Sequence, residues 1–157
     1  MIGVLRTGEG PAETAPTEGT ERMADLVAYL EGAGVQASLA MEGYDRTVVP
    51  AFIDVALYGI AREAVTNIVR HAGASEAFVE LTADGAAGCA RLAVEDDGRG
   101  LAGADVSGDH HGLLGMRERA RLLHGAFVAA ERAQGGTRIE VSIPLAQKEE
   151  SHDRSHG

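Results

Sequence analysis

Three polar side chains four residues apart, Glu63, Asn67 and His71, lie within the most regular stretch of this 157-residue chain. On a helix that spacing projects all three from one face. The apolar positions Ile53, Leu57, Ile60, Ala64 and Ile68 recur at steps of three and four and form a separate stripe. A carboxylate and an amide one turn apart can hold a hard cation through their oxygens, directly or through water. Arg70, next to His71, could then meet an anion held by that cation. The same spacing also describes an ordinary solvated helix face, so taken alone it does not decide.

Three further clusters carry chemistry. Asp96-Asp97-Gly98-Arg99-Gly100 follows an apolar strand pattern. A carboxylate at a strand end, followed by alternate glycines, lets the backbone approach a flat ligand while one acid accepts a hydrogen bond from it. Its bland counterpart is an acidic glycine turn. Gly112-Leu113-Leu114-Gly115-Met116-Arg117-Glu118-Arg119 places glycine ahead of an expected helix start, where free backbone N–H groups would make an anion site. The alternative is a plain glycine-rich start to a helix. Gly135-Gly136-Thr137 leads into the last strand and could present the Thr137 hydroxyl, or could be a hairpin turn and no more.

The elements that must position these groups can be read in order. Residues 1–20, broken by Gly8, Gly10, Pro11, Pro16 and Gly19, read as a linker or extended arm. A helix is expected over Glu21 to Glu31, and a half-buried strand over Val35 to Met41. Pro50 opens a long helix from Ala51 to His71, which Gly73 closes. Strands are expected over Ala77 to Ala83 and Cys89 to Glu95, then a loop from Asp96 to Asp109, of a length that usually serves function. A helix over Leu113 to His124 and strands over Phe127 to Arg132 and Thr137 to Ile143 complete the domain, 21–145. Residues 146–157 read as a disordered tail. This order is not a regular β-α alternation. It predicts an α/β fold with a mixed, mainly antiparallel sheet and helices packed on one face.

Composition removes several function classes. Twenty-four acidic against 14 basic residues give a formal charge of −10, which argues against sequence-blind nucleic-acid binding. No run of 18 apolar residues is present, so no membrane contact is expected of this domain. A single cysteine, Cys89, suits a reducing compartment, and a cytoplasmic location is expected.

Taken together, the four clusters resemble the ATP-binding domain of the superfamily that joins histidine kinases, gyrase, the heat-shock chaperone ATPase and a mismatch-repair ATPase. Arg62 to Ala72 resembles its N box, Val94 to Gly100 its first glycine box, and His111 to Arg119 its second. The Glu-Ala-x-Thr-Asn-x-x-Arg-His-Ala and Gly-Met-Arg-Glu-Arg wordings are similar to sensor histidine kinases of the nitrate-sensor type, and the likeness runs roughly from Val4 to Leu145. It implies a two-layer α/β sandwich of the Bergerat type. It implies that Asn67 holds Mg²⁺ between ATP phosphates and that Glu63 acts over those phosphates as the catalytic carboxylate. Arg70 and His71 would stand beside the phosphates. Asp96 would accept the adenine amino group, Gly98 and Gly100 would admit the base, and Thr137 would support its edge. His111, Gly112, Leu113 and Gly115 would belong to the nucleotide lid.

Two departures from the family pattern matter. The second glycine box commonly opens with glycine where this chain has His110. Sensor kinases of this type also carry the phospho-accepting histidine on a helical dimerisation module ahead of the ATP domain, and no such helical pair is evident here. The chain therefore reads as the catalytic domain of a larger kinase. It would donate the γ-phosphoryl group of ATP to that module, which in turn would serve a response regulator. The alternatives are an anti-sigma-factor-type serine kinase and a nucleotide-binding regulatory domain without catalysis.

Overall fold

A computed structural model of the protein describes residues 18–100 and 109–147. A turn of 3-10 helix, Thr20–Arg22, leads into helix α1, Met23–Gly32, and strand β1, Gln36–Ala40. A second short turn, Arg46–Val48, precedes α2, Ala51–Asn67. Strands β2, Glu76–Asp84, and β3, Cys89–Asp96, follow. Helix α3, Asp109–Leu122, and strands β4, Ala126–Glu131, and β5, Thr137–Pro144, close the order. The five strands form one sheet in the order β1-β2-β3-β5-β4; β1 and β2 run parallel and every other pair is antiparallel. This is the mixed sheet the element order predicted.

The period of two along the strands decides what faces the helices. Val79, Leu81 and Ala83 on β2, Ala90, Leu92 and Val94 on β3, and Ile139, Val141 and Ile143 on β5 are all buried. They stand in cross-strand register, Val79 beside Val94 beside Ile139, and Leu81 beside Leu92 beside Val141. From the helix side, Ile53, Leu57, Ile60, Ala64 and Ile68 meet them, each 5% exposed or less. The apolar stripe read from the sequence is thus the core face of α2. On the other face of the sheet, Glu95 and Glu140 alternate with Arg91 and Arg138 in ion pairs, including a close contact between Arg138 and Glu95.

Three elements depart from expectation. The long helix does not continue as α-helix to His71: it ends at Asn67 and gives way to a π turn, Ile68–Ala72, closed by Gly73 at φ 63°. Such turns insert an extra residue and occur mostly at functional sites. Helix α3 begins at Asp109, not Leu113, so Gly112 lies one turn inside it and does not precede it. The helix thus starts where the expected loop ends, and most of that loop, residues 101–108, lies outside the described ones. Finally, the boundaries read as arm and tail already carry structure. Thr20 is 1% exposed, and the Gln147 amide donates to the carbonyls of Leu123 and Pro144 at 3.0 and 2.8 Å. Residues 1–17 and 148–157 are outside the described set.

The turn between β4 and β5 fixes how the sheet ends. Gly136 sits at φ 102°, a region L side chains avoid, and a Cβ there would fall inside the Asp96 carbonyl. Arg132 completes the clamp: its guanidinium donates to the same Asp96 carbonyl at 2.7 Å, and its amide to the Gly136 carbonyl at 2.9 Å. Gly136→Ala is therefore expected to destabilise the protein by about 2 kcal/mol or more, by forced φ and overlap together. The midpoint of urea unfolding measures it; an unchanged midpoint contradicts this account of the turn.

Candidate functional site

The period that buries Leu92 and Val94 carries one step further and turns Asp96 to the helix side as well. Thr137 stands opposite it in register on β5. At this end of the sheet a pocket opens. Its walls are Ala64, Asn67, Ile68, His71 and Ala72 from α2 and the π turn, and Val94, Asp96, Thr137 and Ile139 from the sheet. Arg99 and Gly100 from the loop and Leu113 from α3 close it. Ile68, Val94, Ile139 and Leu113 give apolar surfaces for a flat ligand, and a few convergent polar groups fix its orientation.

Asp96 is the buried one of these groups, 6% exposed. Burial pushes its carboxyl above the usual carboxylate range, against the opposing pull of the Gly98 N–H, which donates to it at 2.7 Å. Thr137 adds a second backbone bond and Arg132 a nearby positive charge, both pulling the same way as Gly98, and the acid lines the pocket. Gly98 serves by close approach: a Cβ there would overlap the Ala72 backbone. The Arg99 N–H donates to the Ala72 carbonyl at 2.9 Å, so the loop is bonded directly to the π turn.

Asp97 looks the other way. One of its oxygens accepts from the N–H groups of Ser75 and Glu76 at 2.7 and 2.9 Å. Those bonds, that of Glu76 foremost, hold its carboxyl below the usual range. Two adjacent acids therefore divide the labour: Asp97 ties the loop to the start of β2, and Asp96 faces the pocket.

At the pocket mouth, α3 crosses α2. A Cβ on Gly112 would stand 2.9 Å from Asn67 Nδ2 and 3.0 Å from Glu63 Oε2. The two side chains therefore converge on one point, and a larger residue there would have to push their ends aside. Asn67 lines the pocket and Glu63 flanks its mouth without lining it. Of the other residues singled out from sequence, His71, Gly100, Leu113 and Thr137 line the pocket as expected. Arg70 is exposed on the π turn outside the lining. Gly115 lies in α3, where an added Cβ would meet nothing within 4 Å. His111 falls in α3, but its side chain is outside what the structure describes.

Sequence reading missed Arg99, Val94 and Ile139 as lining, and Arg132 as the residue holding Asp96. The strand period could have found Val94 and Ile139, since each stands two residues from a named site residue. Arg132 acts across the sheet through its long side chain and had no local signal.

The family model for histidine kinase-, DNA gyrase B- and HSP90-like ATPases matches residues 53–147. The chain belongs to this family. The sensor histidine kinase YxjM of Bacillus subtilis (strain 168) is 34% identical over 115 residues, covering 73% of this chain and 27% of that protein. The nitrate/nitrite sensor protein NarX of Escherichia coli (strain K12) is 34% identical over 96 residues, 61% of this chain and 16% of that protein. Among solved structures, a blue-light activated histidine kinase of Erythrobacter litoralis superposes with a TM-score of 0.61 at 21% identity, covering 82% of this chain and 42% of that chain. That likeness is one of fold. The chain spans 27% and 16% of the two curated relatives named.

The depressed Asp97 carboxyl gives a pH prediction. Its contribution to stability is full above the unfolded value, about pH 4, and is lost as pH falls through the lower folded value. The group is exposed, so the effect is small. Asp97→Asn should lower stability at pH 7 and remove that share of the acid-side loss. Urea midpoints at pH 7 and pH 3 compare the two proteins; equal acid-side losses would show that Asp97 is not the group responsible.

Proposed function

We propose that the chain is the catalytic ATP-binding domain of a two-component sensor histidine kinase. In this reading it binds Mg·ATP and donates the γ-phosphoryl group to a histidine on a separate dimerisation module of the parent kinase. A response regulator would receive the group next, and the domain would work in the cytoplasm. Among the described residues no helix is long and apolar enough to cross a membrane. The observation that carries the reading is the shared pocket: a buried acceptor, Asp96, at its floor and the Glu63–Asn67 pair converging at its mouth.

The residues fit an adenine nucleotide. Asp96 offers a carboxylate to an exocyclic amine, with Thr137 beside it, between apolar walls that suit a planar base. Gly98 lets the loop approach the π turn, and Gly100 lines the pocket without a side chain. The phosphates would then run toward Asn67, His71 and Arg70. The donor set at the mouth, one amide and one carboxylate, suits a hard divalent ion, with Asn67 the direct holder and Glu63 near it. Such an ion, when bound, neutralises phosphate charge. That matters in a chain whose formal charge is −10, since local contacts are screened less than the general field.

Transfer breaks the bond between the γ-phosphorus and its bridging oxygen, releases ADP and forms a bond from phosphorus to an imidazole nitrogen, whose proton leaves. Little covalent chemistry falls to the protein, and positioning supplies most of the rate. Asp96 and the apolar walls fix the base, and Asn67 orients the phosphates. Glu63 presents a carboxylate where the nucleophile would approach.

Calorimetry with ATP, ADP and a non-hydrolysable analogue, with and without Mg²⁺, tests the binding half. Asp96→Ala should weaken binding by about 10- to 100-fold, the worth of a hydrogen bond to a charged group. Asn67→Ala should bind nucleotide with its Mg²⁺ dependence lost. No binding by folded wild type would sink the proposal. For the catalytic half, labelled ATP and the parent's isolated dimerisation module should give an acid-labile phosphohistidine that Glu63→Gln strongly slows. Label on a serine of a small antagonist protein would instead favour the anti-sigma-factor type, and tight binding with no transfer a regulatory domain.

A further inference from the structure

The nucleotide reading leaves one buried acid unused. Asp54, in the first turn of α2, is 8% exposed and lies far from the pocket. Its Oδ1 accepts from the Thr20 hydroxyl at 2.5 Å and from the Tyr44 hydroxyl at 2.6 Å, with the Arg46 guanidinium 3.6 Å away. Its Oδ2 accepts from the Thr20 backbone N–H at 3.0 Å. Burial alone would raise this carboxyl, but the bonds from Thr20 and Tyr44 outweigh it and hold the group below the usual range. Gly19 presses its bare Cα against the same carboxylate, leaving no room for a Cβ. The segment entering the domain is thus pinned to α2 through one side chain.

The far end of the same rod is bonded to the pocket. Asp54 and Asn67 are separated by about 20 Å of helix. Beyond Asn67 the π turn ends at Ala72, whose carbonyl accepts the Arg99 N–H from the pocket loop. Between the two ends α2 carries Glu63, Asn67 and, on the π turn, His71. The helix and its π turn are thus hydrogen-bonded at both ends and packed along the core between them.

We propose that Asp54 is a positioning residue: through Thr20 it ties the entering chain to the helix that faces the nucleotide, so that the placement of residues 18–20 and occupancy of the pocket are energetically coupled. This rests on the nucleotide reading of the pocket. Coupling of this kind is reciprocal, so each end must sense the other. A ligand that draws in Asn67 and the loop tightens the Thr20 bonds, and loosening Thr20 weakens the ligand. An anchor that only stabilises the fold would slow no more than the core amides that exchange by global opening, and its loosening would leave affinity unchanged.

The test uses the full chain and hydrogen exchange resolved to single amides. In wild type, saturating ATP analogue with Mg²⁺ should slow exchange of the Thr20 amide by about fivefold or more beyond any slowing of the β3 core amides, the lower range of coupling between distinct sites. Thr20→Val keeps the backbone bond to Asp54 and removes the hydroxyl; it should weaken analogue binding by a similar factor. Without nucleotide, the same variant should speed exchange across the π turn, Ile68 to Ala72, more than across β2. Unchanged Thr20 exchange on saturation overturns the proposal, as does a variant that loses stability and keeps wild-type affinity. Should wild type bind no nucleotide, the nucleotide reading fails, and the ligand-free comparison still decides whether the rod transmits. If Thr20→Val does not fold, the wild-type exchange experiment stands alone.

Discussion

Burying the Asp96 carboxylate is the constraint around which this site is arranged. A charged group placed at the apolar end of a sheet is costly unless it is bonded, and here it is met by the Gly98 N–H, a backbone bond from Thr137 and the charge of Arg132, which burial still outweighs. Everything near it keeps that arrangement possible. Gly98 and Gly136 remove side chains from either flank, Arg132 grips the backbone carbonyl of the same residue, and Asp97 bonds the loop to β2. The acid is held in place by its main chain, which leaves its side chain available to a ligand. A group stabilised that way gains from any partner that donates hydrogen bonds, and an amine at the edge of a base is such a partner.

The order of elements, the core stripe of α2 and the face of each strand were legible because they follow from periodicity. Of Glu63, Asn67 and His71, spaced by four in the sequence, Asn67 and, from the π turn, His71 line the pocket. What was not legible depends on contacts between distant residues. The π turn at Ile68–Ala72 leaves no mark in a pattern read at helical spacing, since its apolar positions still match. The true start of α3 at Asp109 lies in a run of histidine and aspartate with no apolar signal. Asp54 has no local signal in the sequence, and only the approach of Thr20 and Tyr44, 34 and 10 residues away, makes it a buried hub.

Glu63 and Asn67 show how the two kinds of information combine. The sequence places them one turn apart, which is common. The structure adds Gly112 from another helix, so close that an added Cβ would press on the ends of both side chains. The pair is therefore part of a contact between α2 and α3 as well as the rim of the pocket.

The π turn has a consequence for how the chain can change over time. Within it, five residues occupy what would ordinarily be about four. Losing one residue between Ile68 and Ala72 would leave a regular helix that still looks well formed. Its C-terminal end would be rotated by about 100°, so the Ala72 carbonyl would no longer meet the Arg99 N–H. Substitutions here are graded in their effect, but a change in chain length by a single position swaps the whole geometry of one wall. Comparisons of such chains should therefore treat a gap in this stretch as an event of a different kind from the amino-acid differences beside it.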